Sequence, residues 1–385
     1  METKHPEFEE IRAFYDEDVP SKLWPLVDEP AIEEFMRGFM PDIDMEMFRK
    51  QIKSMHTIKE FQTHVVAKMV MQLASQTTDR LELKGLDNLN PSVASLFITN
   101  HRDIVLDSAF LNSLLNSHGF ETAEIAIGDN LFAYPWIKDL VRLNRSFVVR
   151  RDVPVRQMLE VSKLLSSYIH YTIQEKNVSV WIAQREGRSK DSSDQTQSSV
   201  IKMLAMGGGT RDLIQNVRKL NIQPVALSYE YDPCDYLKAR EFQLKRDNPE
   251  WKKSKQDDVQ SMLTGIKGYK GRVIFTICPL VNATFDTYPW IEDRNSQVNC
   301  VCETIDKALH SHMTLFPINF VAYNLRFGTD KYADRYTKEE EQTVLSYLNG
   351  QLAKIELPER DEQFLWDCLL KMYSNPVVNY ENVAF

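Results

Sequence analysis

Apolar residues recur at three- and four-residue steps through Ile58, Phe61, Val65, Met69 and Leu73. That is the spacing of one buried helix stripe, so residues 1–78 read as a helical N-terminal region. From Arg80 the pattern changes to short β-like runs separated by helical stretches. Arg80 to Lys84, Ser95 to Thr99, Ala123 to Ile127, Ser146 to Arg150, Val178 to Ala183, Ile222 to Tyr229 and Arg272 to Cys278 are predicted strands. Between the fourth and fifth, Pro154 suits a first helical turn, and Val155, Met158, Val161, Leu165, Tyr168, Ile169 and Thr172 keep to one broad face, which predicts a helix over Pro154 to Glu175. Strands alternating with helices predict an α/β domain over 79–282. Within it, 231–270 is polar and charged and is expected to be a loop or lid. Residues 283–385 read as a mainly helical C-terminal region.

A chain of 385 residues with 43% hydrophobic and 26% charged residues can bury a large core, which excludes disordered and fibrous classes. Its longest uncharged apolar runs fall well short of the roughly 20 residues that a membrane-spanning helix needs. Residues 1–10 lack the basic, apolar, small-residue order of a secretory signal, so the chain is expected to begin near residue 1 and to stay in the cytoplasm. Cys234, Cys278, Cys300, Cys302 and Cys368 are too sparse for a secreted disulfide framework and fit a reducing compartment. A net charge of −9 argues against a nucleic-acid partner, because phosphate neutralisation wants a basic surface.

The strand ending at Thr99 runs straight into Asn100, His101, Arg102 and Asp103, and Ser108 to Leu115 reads as helical. His101 is therefore expected at the C-terminal end of a strand, the edge where open α/β sheets place their ligands. A histidine held in one tautomer by a carboxylate can take a proton from a hydroxyl, although a histidine after a strand can equally be a capping residue. Arg142, Arg145, Arg150, Arg151 and Arg156 follow. Arg150 and Arg151 at a strand end suit a phosphate, because the guanidinium fork matches its oxygens, or else form a solvated face paired with acids. A third strand opens into Gln184, Arg185, Glu186, Gly187, Arg188, Ser189 and Lys190, where Gly187 permits a tight turn among charges suited to an anion or to solubility.

Other signals carry less. Cys300, Cys302, His310 and His312 have the residue types of a zinc site, but side chains two apart on a helix diverge, so no metal is expected. Gly207, Gly208 and Gly209 lack the Lys-Ser/Thr ending of a nucleotide loop and read as a helix–helix turn. Trp136, Trp251 and Trp290 suit either a membrane interface or the core.

In this order the segments resemble the motif blocks of the glycerolipid acyltransferase superfamily, most closely the branch that acylates glycerol 3-phosphate or dihydroxyacetone phosphate. Asn100, His101 and Arg102 with Asp107 resemble the His-x4-Asp block, and Ile125 to Leu131 the stretch that follows it. Phe147 to Arg151 is similar to the phosphate-binding block, Glu186 to Lys190 to the Glu-Gly-x-Arg-Ser block, and Pro224 to Glu230 to the last, proline-led block. The resemblance spans about residues 80–280, with two departures. Five residues part His101 from Asp107, one more than in the family, which leaves Asp103 as an alternative partner of His101. The residue that normally separates Gly from Arg is missing between Gly187 and Arg188, which leaves Arg185 as an alternative to Arg188.

The resemblance implies a mixed central sheet flanked by helices and an O-acyltransferase of phospholipid synthesis. In it His101, oriented by Asp107, acts as general base, and Arg102, Arg150, Arg151, Glu186, Gly187, Arg188 and Lys190 bind the acceptor phosphate. The implied partners are an acyl-CoA or acyl carrier protein thioester as donor, a glycerol-phosphate-type acceptor and a membrane surface, with no cofactor or metal. Peripheral attachment to the cytoplasmic face of the inner membrane follows from a lipid product and no spanning segment. Two alternatives stand beside it: the same chemistry on another lyso-lipid, such as an amino-acid lipid, and a non-catalytic lipid-binding protein of this fold.

Overall fold

Seven short strands pair into one sheet in a computed structural model that describes residues 5–40, 42–132, 135–151, 153–287 and 292–384. They are β1 (Arg80–Lys84), β2 (Leu96–Thr99), β3 (Glu124–Gly128), β4 (Ser146–Val149), β5 (Val180–Ala183), β6 (Ile222–Tyr229) and β7 (Arg272–Ile277), in the order β1-β7-β6-β2-β5-β3-β4. These are the predicted strands, trimmed or shifted at their ends. All neighbours are parallel except β6 and β7, so the sheet is mixed. β2 lies between β5 and β6 with all its residues buried, as expected of a strand covered on both faces.

The two faces alternate along each strand as the pleat requires. On one, Phe97, Trp181, Leu227 and Phe275 pack against Phe110, Leu111, Leu114 and Leu115, together with Ala74 of α1 (Ala67–Thr77); the four are on α2 (Leu106–Ser117). On the other, Leu96, Ile98, Phe147, Val180 and Ile182 meet Leu165, Tyr168, Ile169 and Ile173 of α3 (Val155–Gln174). α3 has 20 residues, about 30 Å of helix, whereas β4 and β5 have four residues each, about 13 Å of strand. The helix must overhang the sheet. Its first buried residue is Leu165, and every residue from Pro154 to Glu160 is exposed, so the overhang is at its start.

The stretch expected to be a loop or lid instead contains α4 (Asp235–Asp247) and α5 (Lys255–Lys267). α4 buries Asp235, Lys238, Glu241 and Gln243 beside a single alanine, so no apolar stripe betrays it. These polar groups are matched in space: Lys238 pairs with Asp232, and Glu241 with Lys190. α5 opens on a capping box between Ser254 and Asp257. The C-terminal part is mainly helical, with α6 (Arg294–His312), α7 (Pro317–Phe327), α8 (Lys338–Ala353) and α9 (Glu362–Ala384). Ile274 of β7 shares a core with α7, α8 and α9, while Phe8 and Ile11 join the core under α3.

The predicted basic stretch is split by β4. Arg142 lies at its N-terminal side, bonding the carbonyls of Arg12 and Glu9 and stacking on Phe14 at 4.0 Å, and Arg145 bonds the Thr122 carbonyl. Gly207 and Gly208 form a 3-10 turn between two short helices. Trp136 packs with the N-terminal helices, Trp251 is half-buried after α4, and Trp290 lies outside the described residues.

Candidate active site

Because β6, β2, β5, β3 and β4 run in one direction, their C-terminal ends share an edge, and His101 follows β2 there. The Asn100 amide continues the ladder after the strand ends: Nδ2 donates to the Leu227 carbonyl and Oδ1 accepts from the Leu227 N–H, both at 2.8 Å. On the other side, Gln184 N–H donates to the Thr99 carbonyl at 2.8 Å and Ser189 N–H to the His101 carbonyl at 2.9 Å. The backbone at His101 is thus held from both neighbouring strands.

His101 Nδ1 lies 2.8 Å from Asp107 Oδ2. The same oxygen accepts the backbone N–H groups of Arg102 at 2.7 Å and Asp103 at 3.1 Å. A carboxylate with three donors on one oxygen fixes the imidazole with its proton on Nδ1, which leaves the Nε2 lone pair available as a base. Nε2 makes no hydrogen bond among the described residues, and the ring sits edge-on to Trp181 with centroids 5.9 Å apart. Asp107 Oδ1 is buried without a hydrogen bond, as is the hydroxyl of Tyr229, which feels the Asp107 charge. Burial, together with the charges of Asp107 and Asp103, pushes the Tyr229 phenol well above its ordinary range, so it stays protonated.

Asp103 has a different task. Its Oδ1 accepts from Val105 N–H at 2.9 Å and Leu106 N–H at 2.8 Å, capping the start of α2. Burial and the nearby Asp107 charge push its pKa up. Its other oxygen rests on Gly265 of α5, where a Cβ would come within 1.9 Å of it. The carboxylate that touches His101 is therefore Asp107, and the additional residue in the spacing belongs to a loop whose Asp103 caps the following helix.

The cations of the implied phosphate site sit in distinct places. Arg151 reaches Glu186 at 2.9 Å, which joins the ends of β4 and β5, and its N–H bonds Asp129 at 3.0 Å. Arg150 pairs with Glu10. Arg102 is not free: it is buried and grips Asp194 bidentately, and Asp194 and Ser192 have left-handed backbone (φ 45° and 56°). Lys190 pairs with Glu241 on α4. Gly187 takes φ 69°, the turn its lack of a side chain allows. That turn leaves Arg188 facing Asp103 and Asp232 with Nη1 buried and without a hydrogen bond, whereas half-buried Arg185 makes no ion pair or hydrogen bond among the described residues. His310 bonds the Asp194 carbonyl at 2.8 Å, and His312 the Ala308 carbonyl at 2.8 Å.

Sequence reasoning assigned no role to Trp181, Asp194 or Tyr229. Asp194 lies 92 positions from its partner Arg102, and no local pattern announces such a pair.

A family described as Acyltransferase matches residues 80–228. No curated protein matches the chain. Among solved structures, the chain is similar to the 1-acyl-sn-glycerophosphate (LPA) acyltransferase PlsC from Thermotoga maritima, at 12% identity and a TM-score of 0.34, over 76% of this chain and 97% of that one.

Proposed function

We propose, from the match of residues 80–228 to a family described as Acyltransferase, that this chain is a glycerolipid acyltransferase that moves a fatty acyl group from an acyl thioester to a hydroxyl of glycerol 3-phosphate or 1-acylglycerol 3-phosphate. The observation that carries this reading is the 2.8 Å contact between His101 and Asp107 at the sheet edge, with Nε2 unengaged among the described residues. The acceptor hydroxyl gives its proton to Nε2 as its oxygen attacks the thioester carbonyl. Collapse of the tetrahedral intermediate expels the thiolate, which takes the proton back from His101. The Asp107 carboxylate stabilises the imidazolium between these steps. Base catalysis of this kind supplies about 100- to 10,000-fold, and the rest comes from holding hydroxyl and thioester together.

Arg151, at 36% side-chain exposure, and Arg185, without a partner among the described residues, are the cations best disposed toward an acceptor phosphate. A second reading, the same transfer to a lyso-lipid without a phosphate, is favoured by the carboxylate partners of Arg102, Arg150, Arg151 and Lys190. The test is thiol release from a defined acyl thioester with each acceptor in turn. Release that depends on glycerol 3-phosphate or its 1-acyl form supports the first reading; release only with a phosphate-free lyso-lipid supports the second; none with any acceptor refutes both.

A further inference from the structure

The overhanging start of α3 is the most exposed apolar feature of the described residues. Val155 is 86% exposed, Leu159 68% and Met158 51%. Leaving such side chains in water forfeits the gain of burying them, and three in five positions is unlike the scatter of single apolar residues on an ordinary surface. They lie on a protrusion rather than in a groove, since all seven residues from Pro154 to Glu160 are exposed. Arg156 and Lys163 on the same helix start carry no ion pair among the described residues, against the one unpaired carboxylate of Glu160. The helix begins just after Arg151, at the edge of the sheet that holds His101.

We infer that the first two turns of α3 insert into the surface of an anionic lipid bilayer and set the His101 edge of the sheet against it. A protein partner would be met by a patch or a groove; a helix end exposed on every side suits a soft, deformable medium. Val155, Met158 and Leu159 fall at i, i+3 and i+4 and so share one face, which a helix lying along the interface can bury to the roughly 5–10 Å depth of the headgroup boundary. Arg156, Glu160 and Lys163 recur at four- and three-residue steps along another face and leave one net positive charge to complement acidic headgroups, worth about fivefold in partitioning. The inference rests on the acyltransferase reading only for the amphiphilic nature of the substrate, which such docking would deliver at the crevice.

The experiment is co-sedimentation of the full chain with vesicles of phosphatidylcholine, with and without phosphatidylglycerol. The native chain is expected to bind, about fivefold more tightly with the anionic lipid. Val155→Asp/Leu159→Asp is expected to lower the partition coefficient about 30-fold or more, since two apolar side chains are lost from the interface and two charges must enter it. Met47→Asp, changing a residue 67% exposed on another helix, is expected to bind as the native chain does. Val155→Ser/Leu159→Ser, which adds no charge, guards against misfolding and is expected to fall between. Native-like binding by both double variants overturns the inference, as does a native chain that ignores vesicles. Acyl transfer to a water-soluble acceptor, measured alongside, separates the two ideas: vesicle binding without transfer refutes the enzyme reading alone, and transfer without vesicle binding refutes the docking alone.

Discussion

Replacing Asp107 by Asn removes the charge beside His101 while leaving the shape, and the structure sets the size of the effect. Oδ2 receives three donors, from His101, Arg102 and Asp103, whereas Oδ1 is buried without a hydrogen bond. Two of those donors are backbone N–H groups that cannot turn away, so the amide oxygen must take the Oδ2 position and the NH2 group the Oδ1 position. His101 then keeps its proton on Nδ1. In other His-Asp pairs the Asn variant inverts the tautomer and costs about 10,000-fold. Here the loss should be only that of a charge-assisted hydrogen bond to the imidazolium, about 1.5 to 3 kcal/mol, or roughly 10- to 150-fold in turnover. The assay is thiol release at saturating acceptor, with circular dichroism to confirm folding. Asp103→Asn, which keeps the Oδ1 cap, should stay within about threefold of native. A loss near 10,000-fold at Asp107 refutes the reasoning about the backbone donors, and no loss there with a large one at Asp103 refutes the pairing itself.

His101→Ala should lower turnover by about 100-fold or more with the fold intact by circular dichroism, because it removes the proton acceptor and little packing. Arg151→Ala should raise the acceptor concentration for half-maximal rate by about 10- to 150-fold and leave the donor requirement unchanged, as initial-rate kinetics with each substrate varied will tell. Arg102→Ala should act on stability instead: it strands Asp194 without its partner in the interior, at a cost of about 3 to 5 kcal/mol in urea unfolding. Asp235 is fully buried, and burial pushes its pKa up to about 7 against the hydrogen bonds from Tyr373 and Tyr347. The folded state thus holds this proton where the unfolded chain has released it. Native stability should decline relative to Asp235→Asn as pH rises from about 4 to about 7 and run parallel to it above, a course that urea midpoints across pH will follow or contradict.

Most strands were legible as short apolar runs with charged or turn-forming neighbours, β2 and β6 being buried along their whole length, and β1 as an alternation of charged residues with Leu81 and Leu83. α4 was not, since the residues it buries are polar, and ion pairs from Asp232 and Lys190 do the work that leucines do elsewhere. α5 left a signal that went unread, Ser254 three residues before Asp257. At the site, the His101 block announced itself by following a strand. What the sequence did not disclose is which charges are already matched. Arg102 and Lys190 look like ligands for an anion until the fold brings Asp194 and Glu241 to them across 92 and 51 positions. The five arginines likewise read as one cluster, although β4 carries Arg142 and Arg145 to one end and Arg150 and Arg151 to the other.

The Asn100 bridge to Leu227 also governs when the protein can begin to work. Its two hydrogen bonds span 127 positions, and the backbone of Asp232 is tied to the Tyr373 hydroxyl across a further 141. A chain leaving the ribosome therefore carries His101 and Asp107 long before the strands that brace their backbone exist, and β2 waits for partners on both sides that are synthesised later. Such distant pairings make ordering slow, because loop closure must precede the contacts that reward it. The nascent protein should accordingly stay inert until β6 has entered the sheet, and a fragment ending before Leu227 should keep helices and some strands yet never acquire an oriented base.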